Sequence, residues 1–364
     1  MKTKILFILT LPPPIHGASL MGKYIQESKS ITNEFDCTFI NSQTSKDLKD
    51  IGKGFFKKAI VILKLNFKIF YVLMFNKFDF CYLTLTSNGP GFYKDLLIIL
   101  ILKLFRKKII YHFHNKGVHK YNSTKINNLL YEFALKNSKS ILLSPNLFID
   151  IKKYVAEENV YYCANGIPEI NYEIKEKASS ANKLLFFSNM MKLKGVYVLL
   201  EACNILKNKG VDFHCDFVGD FLDIDKNTFN KKIKENCLTN HVFVHGAKFG
   251  DEKHYFYQQA DIFVLPTLND CFPLVLLEAM QFSLPIISTN EGGIPDIITQ
   301  NETGIIIEKN NAKALANKIE YLINNPKIKN EMGNLGRKKY SNNYTLPFFE
   351  KKLITILNLK KTIN

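Results

Sequence analysis

The sequence predicts an α/β protein made of two doubly wound, parallel-sheet domains facing a cleft. Three observations carry that prediction. Short β-branched and aromatic runs alternate with longer segments of helical period, the pattern of βαβ units. The runs lack polar alternation, as strands buried on both faces do. A polar stretch, Glu169–Asn182, divides them into two series, and 364 residues suit two cores better than one.

The first series comprises Lys4–Leu9, Cys37–Ile40, Phe80–Leu85, Ile109–Phe113, Ser140–Leu143 and Val160–Tyr162. The second comprises Lys183–Phe187, Phe213–Val218, Val242–His245, Ile262–Leu265, Ile286–Ser288 and Gly304–Ile307. The expected organisation is an N-terminal domain over 1–168, a linker over 169–182 and a C-terminal domain over 183–344. Tyr344–Lys360 has helical apolar spacing, and residues 345–364 are expected to pack back onto the first domain. In Rossmann-like sheets of this kind, ligands bind beyond the carboxyl ends of the strands. Residues just after each strand are therefore the candidates for chemistry.

Composition narrows the function. Hydrophobic residues at 46% and charged residues at 23% are ordinary globular values and argue against disorder except at the ends. The apolar run Ile5–Leu11 follows Lys2 and Lys4 but ends in prolines with no small-residue cleavage site, so it reads as a buried strand. Leu96–Leu102 is far short of the about 20 residues a membrane span needs, and no transmembrane helix is expected. The seven cysteines (37, 81, 163, 203, 215, 237, 271) form no CxxC pair and no metal-ligand spacing. They read as reduced thiols of a cytosolic protein.

The formal charge of +16 is uneven: residues 1–165 hold 24 Lys and Arg against 11 Asp and Glu. Such an excess points to a polyanionic partner or an anionic membrane surface. No nucleic-acid-binding motif accompanies it, so nucleic acid is not the expected partner. The segment Lys53–Lys77 is basic, aromatic and helical in period. Lys53, Lys57, Lys64 and Lys68 fall within about 60° of arc on a helix. They form either a solvated stripe on a core helix or, with Arg106, Lys107 and Lys108, a patch for a membrane surface. The second reading is favoured because the charge excess lies in this half.

In the second half, Ile262–Met280 runs from a buried strand through a polar turn into a helix starting near Phe272. Asp270 stands before that helix and Glu278 about two turns into it. Amides near Phe272, Pro273 (which lacks one) and Leu274 would lie at a helix N-terminus, where phosphate is favoured. On those residues alone, a cap and a solvated acid explain the pair as well. In the first half, Leu11–Leu20 follows the first strand; Gly17 permits close backbone approach and His16 stands beside it. Tyr111–Gly117 places His112 and His114 on one face at a strand end, either as structural histidines or as acceptor-side groups. No third ligand is evident for a metal.

Asp270-Cys271-Phe272-Pro273-Leu274-Val275-Leu276-Leu277-Glu278 resembles the acid, seven residues, Glu pattern of the retaining glycosyltransferase family 4. The Gly-Gly-Ile-Pro-Asp loop at Gly292–Asp296 and the Asn-Glu-Thr-Gly turn at Asn301–Gly304 extend the likeness. Upstream, Lys194-Gly195 matches the family's Lys-Gly, while Asn189 stands where an Arg is usual and Asp270 where the first acid is usually Glu. The resemblance implies the two-domain GT-B fold and transfer of a sugar from a nucleotide sugar, such as a UDP-sugar, with retention. It implies Glu278 on the ribose, and Asp270 with the amides near Phe272–Leu274 on the sugar and phosphates. Lys194 would take the diphosphate charge. Asn189, Gly17, Gly292 and Gly293 are further donor contacts, His16 and His112 face the acceptor, and His114 joins Asp270 and Lys194 as a catalytic candidate. No metal or other cofactor is expected. The acceptor would be a bacterial surface glycan or a lipid-linked glycan, met at the inner face of the cytoplasmic membrane. A catalytically silent sugar- or lipid-binding homologue and a nucleotide-sugar epimerase of the same fold are the alternatives.

Overall fold

The computed structural model describes residues 2–44, 55–170 and 182–359, with backbone alone at 55–57. Lys53 and the central part of the expected linker, 171–181, lie outside the described residues. The chain divides into two units, Met1–Asn165 with Leu346–Asn364, and Gly166–Thr345.

The first unit runs β1 (Lys4–Leu9), α1 (Gly17–Glu27), α2 (Lys29–Glu34), β2 (Asp36–Asn41), α3 (Phe55–Phe75), β3 (Phe80–Leu85) and α4 (Gly89–Leu104). It continues with β4 (Ile109–Phe113), α5 (Val118–Tyr121), α6 (Lys125–Leu135), β5 (Lys139–Leu142), α7 (Phe148–Ile151) and β6 (Val160–Tyr162). Its sheet is parallel in the order β2-β1-β3-β4-β5-β6. The chain steps one way from β1 to β2 and then the other way through β3, β4 and β5. Right-handed crossovers therefore put α1 on one face and α3, α4 and α6 on the opposite face. Every residue of β3 and β4 is buried, as uninterrupted apolar runs require.

The second unit runs β7 (Lys183–Phe187), α8 (Val196–Asn208), β8 (His214–Val218), α9 (Lys226–Glu235), β9 (Val242–Val244), α10 (Gly250–Gln259) and β10 (Ile262–Leu265). Then follow α11 (Leu274–Gln281), β11 (Ile286–Thr289), α12 (Ile294–Ile297), β12 (Gly304–Ile307), α13 (Ala312–Asn324) and α14 (Pro326–Asn343). Its sheet is parallel in the order β12-β11-β10-β7-β8-β9. The last helix, α15 (Leu346–Asn358), belongs to the first unit; Asn358 donates to Glu34 of α2 at 2.9 Å.

Two expectations change. Ile167 and Pro168, expected at the end of the first domain, fall in the second unit, and Glu169 and Ile170, expected to open the linker, are tied to it as well. The side chain of Gln281, fully buried on α11, donates to the Pro168 carbonyl at 2.9 Å and accepts from the Ile170 amide at 3.2 Å. Glu169 pairs with Arg337 of α14 at 2.9 Å. A buried amide left unpaired would cost about 1–3 kcal/mol, which is why this polar segment is held against the second unit. The helix expected near Phe272 begins instead at Leu274. Pro273, extended at φ −70 and ψ 118, is its N-cap, so Glu278 lies one turn in rather than two.

Candidate active site

Each sheet has a point where the strand order reverses, and the loops leaving its flanking strands open a crevice there. In the second unit that point lies between β7 and β10, and it gathers Lys194 and Asp270. The β7 exit loop ends in a single 3-10 turn, Lys192–Lys194, and Gly195 at φ +78 turns the chain into α8. A Cβ at Gly195 would stand 1.9 Å from the Pro266 carbonyl oxygen, so only glycine lets this loop lie against the exit of β10. The Leu193 carbonyl then accepts from Thr267 Oγ1 (3.1 Å) and from the amides of Leu268 (2.8 Å) and Asn269 (3.2 Å). This backbone staple brings Lys194 Nζ to 2.5 Å from Asp270 Oδ2, with side chains 24% and 12% exposed.

Glu278 is held from two directions. Lys253 Nζ of α10 lies 2.8 Å from Oε1, and the Tyr257 hydroxyl donates to Oε2 at 2.9 Å. Tyr257 is fully buried among Phe187, Phe263 and Phe282, with ring centroids at 5.3, 5.7 and 5.4 Å. Burial, and then the charge of Glu278, hold its phenol well above the ordinary range, so it stays protonated and donates. Each carboxylate oxygen of Glu278 can accept a further hydrogen bond.

A third acid completes the arrangement. Glu291, 4% exposed and placed after β11, accepts from the Asp270 amide at 3.3 Å and pairs with Lys309. Gly292 at φ +55 threads beneath it; a Cβ there would meet the Asp270 carbonyl oxygen at 2.4 Å. The Gly293 amide donates to the Cys271 carbonyl at 2.7 Å. These two glycines thus brace the Asp270–Cys271 backbone. Phe272 and Leu274 turn their side chains into the core, Phe272 edge-on to Tyr344 at 6.1 Å, and the start of α11 has no side-chain cap. Asn189 is half-buried in the β7 exit loop, its amide against Gly219; no hydrogen bond ties it to the Lys194–Asp270 pair among the described residues. Lys253, Tyr257, Glu291 and Lys309 were not foreseen. Glu291 directly precedes the glycine pair, a visible signal, but nothing local marks residues on α10 as partners of α11.

In the first unit the loops after β1, β3 and β4 border a cavity of about 990 Å³. Its polar lining includes Thr10, His16, Thr84, His114 and Asn115, and its apolar lining includes Ile62, Leu63 and Leu97. The Thr84 hydroxyl and both ring nitrogens of His114 are shielded from solvent; among the described residues the hydroxyl has no hydrogen-bond partner, and Asn165 is the polar neighbour of the ring. His16 is more than a lining residue. Its Nδ1 caps α1 by accepting from the Ser19 amide at 3.3 Å, so that amide is not free for a ligand. Gly17 is merely the exposed first residue of α1; the glycine that must be one is Gly22, where a Cβ would meet the Thr10 carbonyl oxygen at 2.1 Å. His112 is not on the cavity lining. It is fully buried, with Nδ1 on the Tyr82 hydroxyl and its ring 4.2 Å from that of His114, and so it is a core histidine. On the basic face, Lys64, Lys68, Arg106 and Lys108 are exposed, whereas Lys107 turns to the Phe78 carbonyl at 3.3 Å. The Lys57 side chain lies outside the described residues.

Burial pushes His114 down to about 4, against a partial offset from Asn165. The unfolded ring takes its proton at the ordinary 6.5, so protons favour unfolding as pH falls from 6.5 toward about 4. Stability should drop over that window by up to about 1.4 kcal/mol per pH unit. His114→Gln should flatten the drop in urea unfolding followed at several pH values; an unchanged slope would contradict the buried, neutral ring.

Two six-stranded parallel sheets with helices, the second carrying cation–carboxylate pairs at its switch point, define a protein of the GT-B class. The profile of the family described as "Glycosyl transferases group 1" matches residues 169–339, so this part of the chain is similar to the group 1 glycosyltransferases. An uncharacterised glycosyltransferase of Methanocaldococcus jannaschii is 30% identical over 221 residues, 58% of each chain. The capsular polysaccharide biosynthesis glycosyltransferase CapM of Staphylococcus aureus is 30% identical over 176 residues, 48% of this chain and 45% of CapM. The matches thus span about half the length of these curated relatives. The crystal structure of Anabaena HepE in complex with UDP superposes with a TM-score of 0.73 at 16% identity, covering 98% of this chain and 100% of that one, a likeness of fold.

Among the described residues no helix is long and apolar enough to cross a membrane. No three His, Cys, Asp or Glu side chains among them converge to hold a metal ion.

Proposed function

We propose that the chain is a retaining glycosyltransferase that moves a sugar from a nucleoside diphosphate sugar, most simply a UDP-sugar, to a hydroxyl of a surface-glycan or lipid-linked acceptor. The observation that carries this reading is the pair of cation-bound acids flanking the start of α11, Lys194–Asp270 before it and Lys253–Glu278 within it. The UDP bound by HepE and the capsular role in the name of CapM support it.

Glu278 would accept from the ribose hydroxyls through its remaining lone pairs. The diphosphate would draw the Lys194 ammonium from Asp270, leaving Asp270 to accept from sugar hydroxyls, with Asn189 and the uncapped start of α11 as further polar contacts. Gly292 and Gly293 would act through the Asp270–Cys271 backbone. The bond from the sugar's anomeric carbon to the diphosphate oxygen breaks. The acceptor oxygen attacks from the same face, and its proton passes to the departing diphosphate. Lys194 offsets the charge that builds on the leaving group, the work a metal does in other enzymes. The first unit would hold the acceptor: its cavity offers the Thr84 hydroxyl, which has no hydrogen-bond partner among the described residues, with His114 and His16 on the same lining. The enzyme would work in the cytoplasm, with Lys64, Lys68, Arg106 and Lys108 turned to an anionic membrane surface.

Purified protein incubated with a panel of UDP-sugars and glycan acceptors should release UDP only when an acceptor is present. Sugar interconversion without acceptor would instead indicate an epimerase. Binding without release, whatever acceptor is offered, would leave a silent homologue.

A further inference from the structure

The helical layer formed by α3, α4 and α6 has its polarity reversed. Such a layer normally presents charged residues outward. Here α4 exposes Tyr93, Leu97, Leu100 and Leu104, spaced four, three and four, at 48, 45, 54 and 70%. On α3, Leu63, Phe67, Tyr71 and Met74 form a second stripe, each more than half exposed. On α6, Ile126, Leu129 and Phe133 form a third. The helices are neighbours: Phe70 meets Phe105, just past α4, with centroids 5.3 Å apart, the Tyr93 hydroxyl donates to Asn127 at 2.8 Å, and Lys103 Nζ lies 4.8 Å from the Phe133 ring centroid. The stripes therefore form one apolar surface, of the kind that marks an interaction site.

Its charges on α3 and α4 are of one sign, and α6 adds an exposed acid, Glu132, beside Phe133. α3 contains four lysines and no acid, and Lys64 and Lys68 are exposed beside Leu63 and Phe67. The acid of α4, Asp95, is buried. Arg106 and Lys108 stand just past α4.

We infer that this face inserts into the headgroup–hydrocarbon boundary of an anionic bilayer, with apolar side chains below the phosphate plane and lysines extended up to it. A second copy fits less well, because a two-fold contact would pair this face with itself, and α3 and α4 offer no exposed acid to meet Lys64 and Lys68. The inference deepens the membrane part of the proposed function and rests on it; the difference is that apolar insertion, rather than lysine attraction alone, holds the protein.

Full-length protein should float with vesicles of phosphatidylglycerol and phosphatidylcholine in equal parts, at low salt and also at about 1 M salt, where charges screen over roughly 3 Å. Phe67→Ser, Met74→Ser, Leu100→Ser and Leu104→Ser together should lower the bound fraction about tenfold or more at both salts. Lys64→Gln with Lys68→Gln should lower it only at low salt. The pair Phe67→Ser and Leu100→Ser, both well outside the core, serves should the fourfold variant fold poorly. Equal flotation of the serine variants, flotation that vanishes at high salt, or a lipid-free dimer that the same serines dissociate would each overturn the inference. Thermal stabilisation by UDP, measured on the same samples, reports the donor reading separately: it should survive in the serine variants, and its absence from the parent protein would count against donor binding and not against insertion.

Discussion

Lys194→Met should lower turnover by roughly a hundred- to a thousandfold, with a much smaller change in donor affinity. The ammonium sits beside Asp270 before any donor arrives, so its contribution grows when negative charge develops on the departing diphosphate. A loss confined to KM would show that Lys194 only helps binding. Part of the effect is structural. Without the lysine, the Asp270 carboxylate, whose side chain is 12% exposed, keeps only the Cys271 amide at 3.0 Å among its described side-chain contacts. The variant should therefore lose about 1–2 kcal/mol of stability. Asp270→Asn combined with Lys194→Met should recover some of that stability but none of the rate. Urea unfolding and steady-state kinetics on the same preparations separate the two.

Glu278→Ala should weaken UDP binding by roughly a hundredfold or more, since hydrogen bonds to a charged acceptor are worth about 1.5–3 kcal/mol each and two ribose hydroxyls are at stake. Calorimetric titration with UDP reads this directly. Glu278→Gln is the sharper control. Its amide can still accept from Tyr257 but loses the ion pair with Lys253, so it should fold like the parent and bind UDP weakly. Parental affinity in either variant would remove Glu278 from the nucleotide contact.

Much of this was legible in the sequence, because buried parallel strands are written as uninterrupted apolar runs with polar breaks. Lys4–Leu9, Phe80–Leu85, Ile109–Phe113 and Ile262–Leu265 are strands at the expected bounds. Asp270 and Glu278 could be named because the segment resembles the family's acid, seven residues, Glu pattern; strand, turn and helix alone left them open. What stood hidden depends on contacts between distant segments. Lys253 and Tyr257 reach Glu278 from another helix. Glu169 and Ile170 looked free because their partners, Arg337 and Gln281, lie more than a hundred positions away. His112 and His114 share a face, yet only His114 lines the cavity, since Tyr82 holds the other. On α3 the apolar residues go nearly all the way round. Periodicity could place the lysines on one arc but could not say which apolar side meets the sheet.

The Leu193 carbonyl, with its three donors from residues 267–269, has a consequence for altering this protein. Two of those donors are main-chain amides, so the side chains of Leu268 and Asn269 do not set the position of the neighbouring ammonium. Asn269 is exposed and Leu268 half-buried. Under the proposed function, libraries at both positions should alter sugar preference while the Lys194 ammonium stays in place.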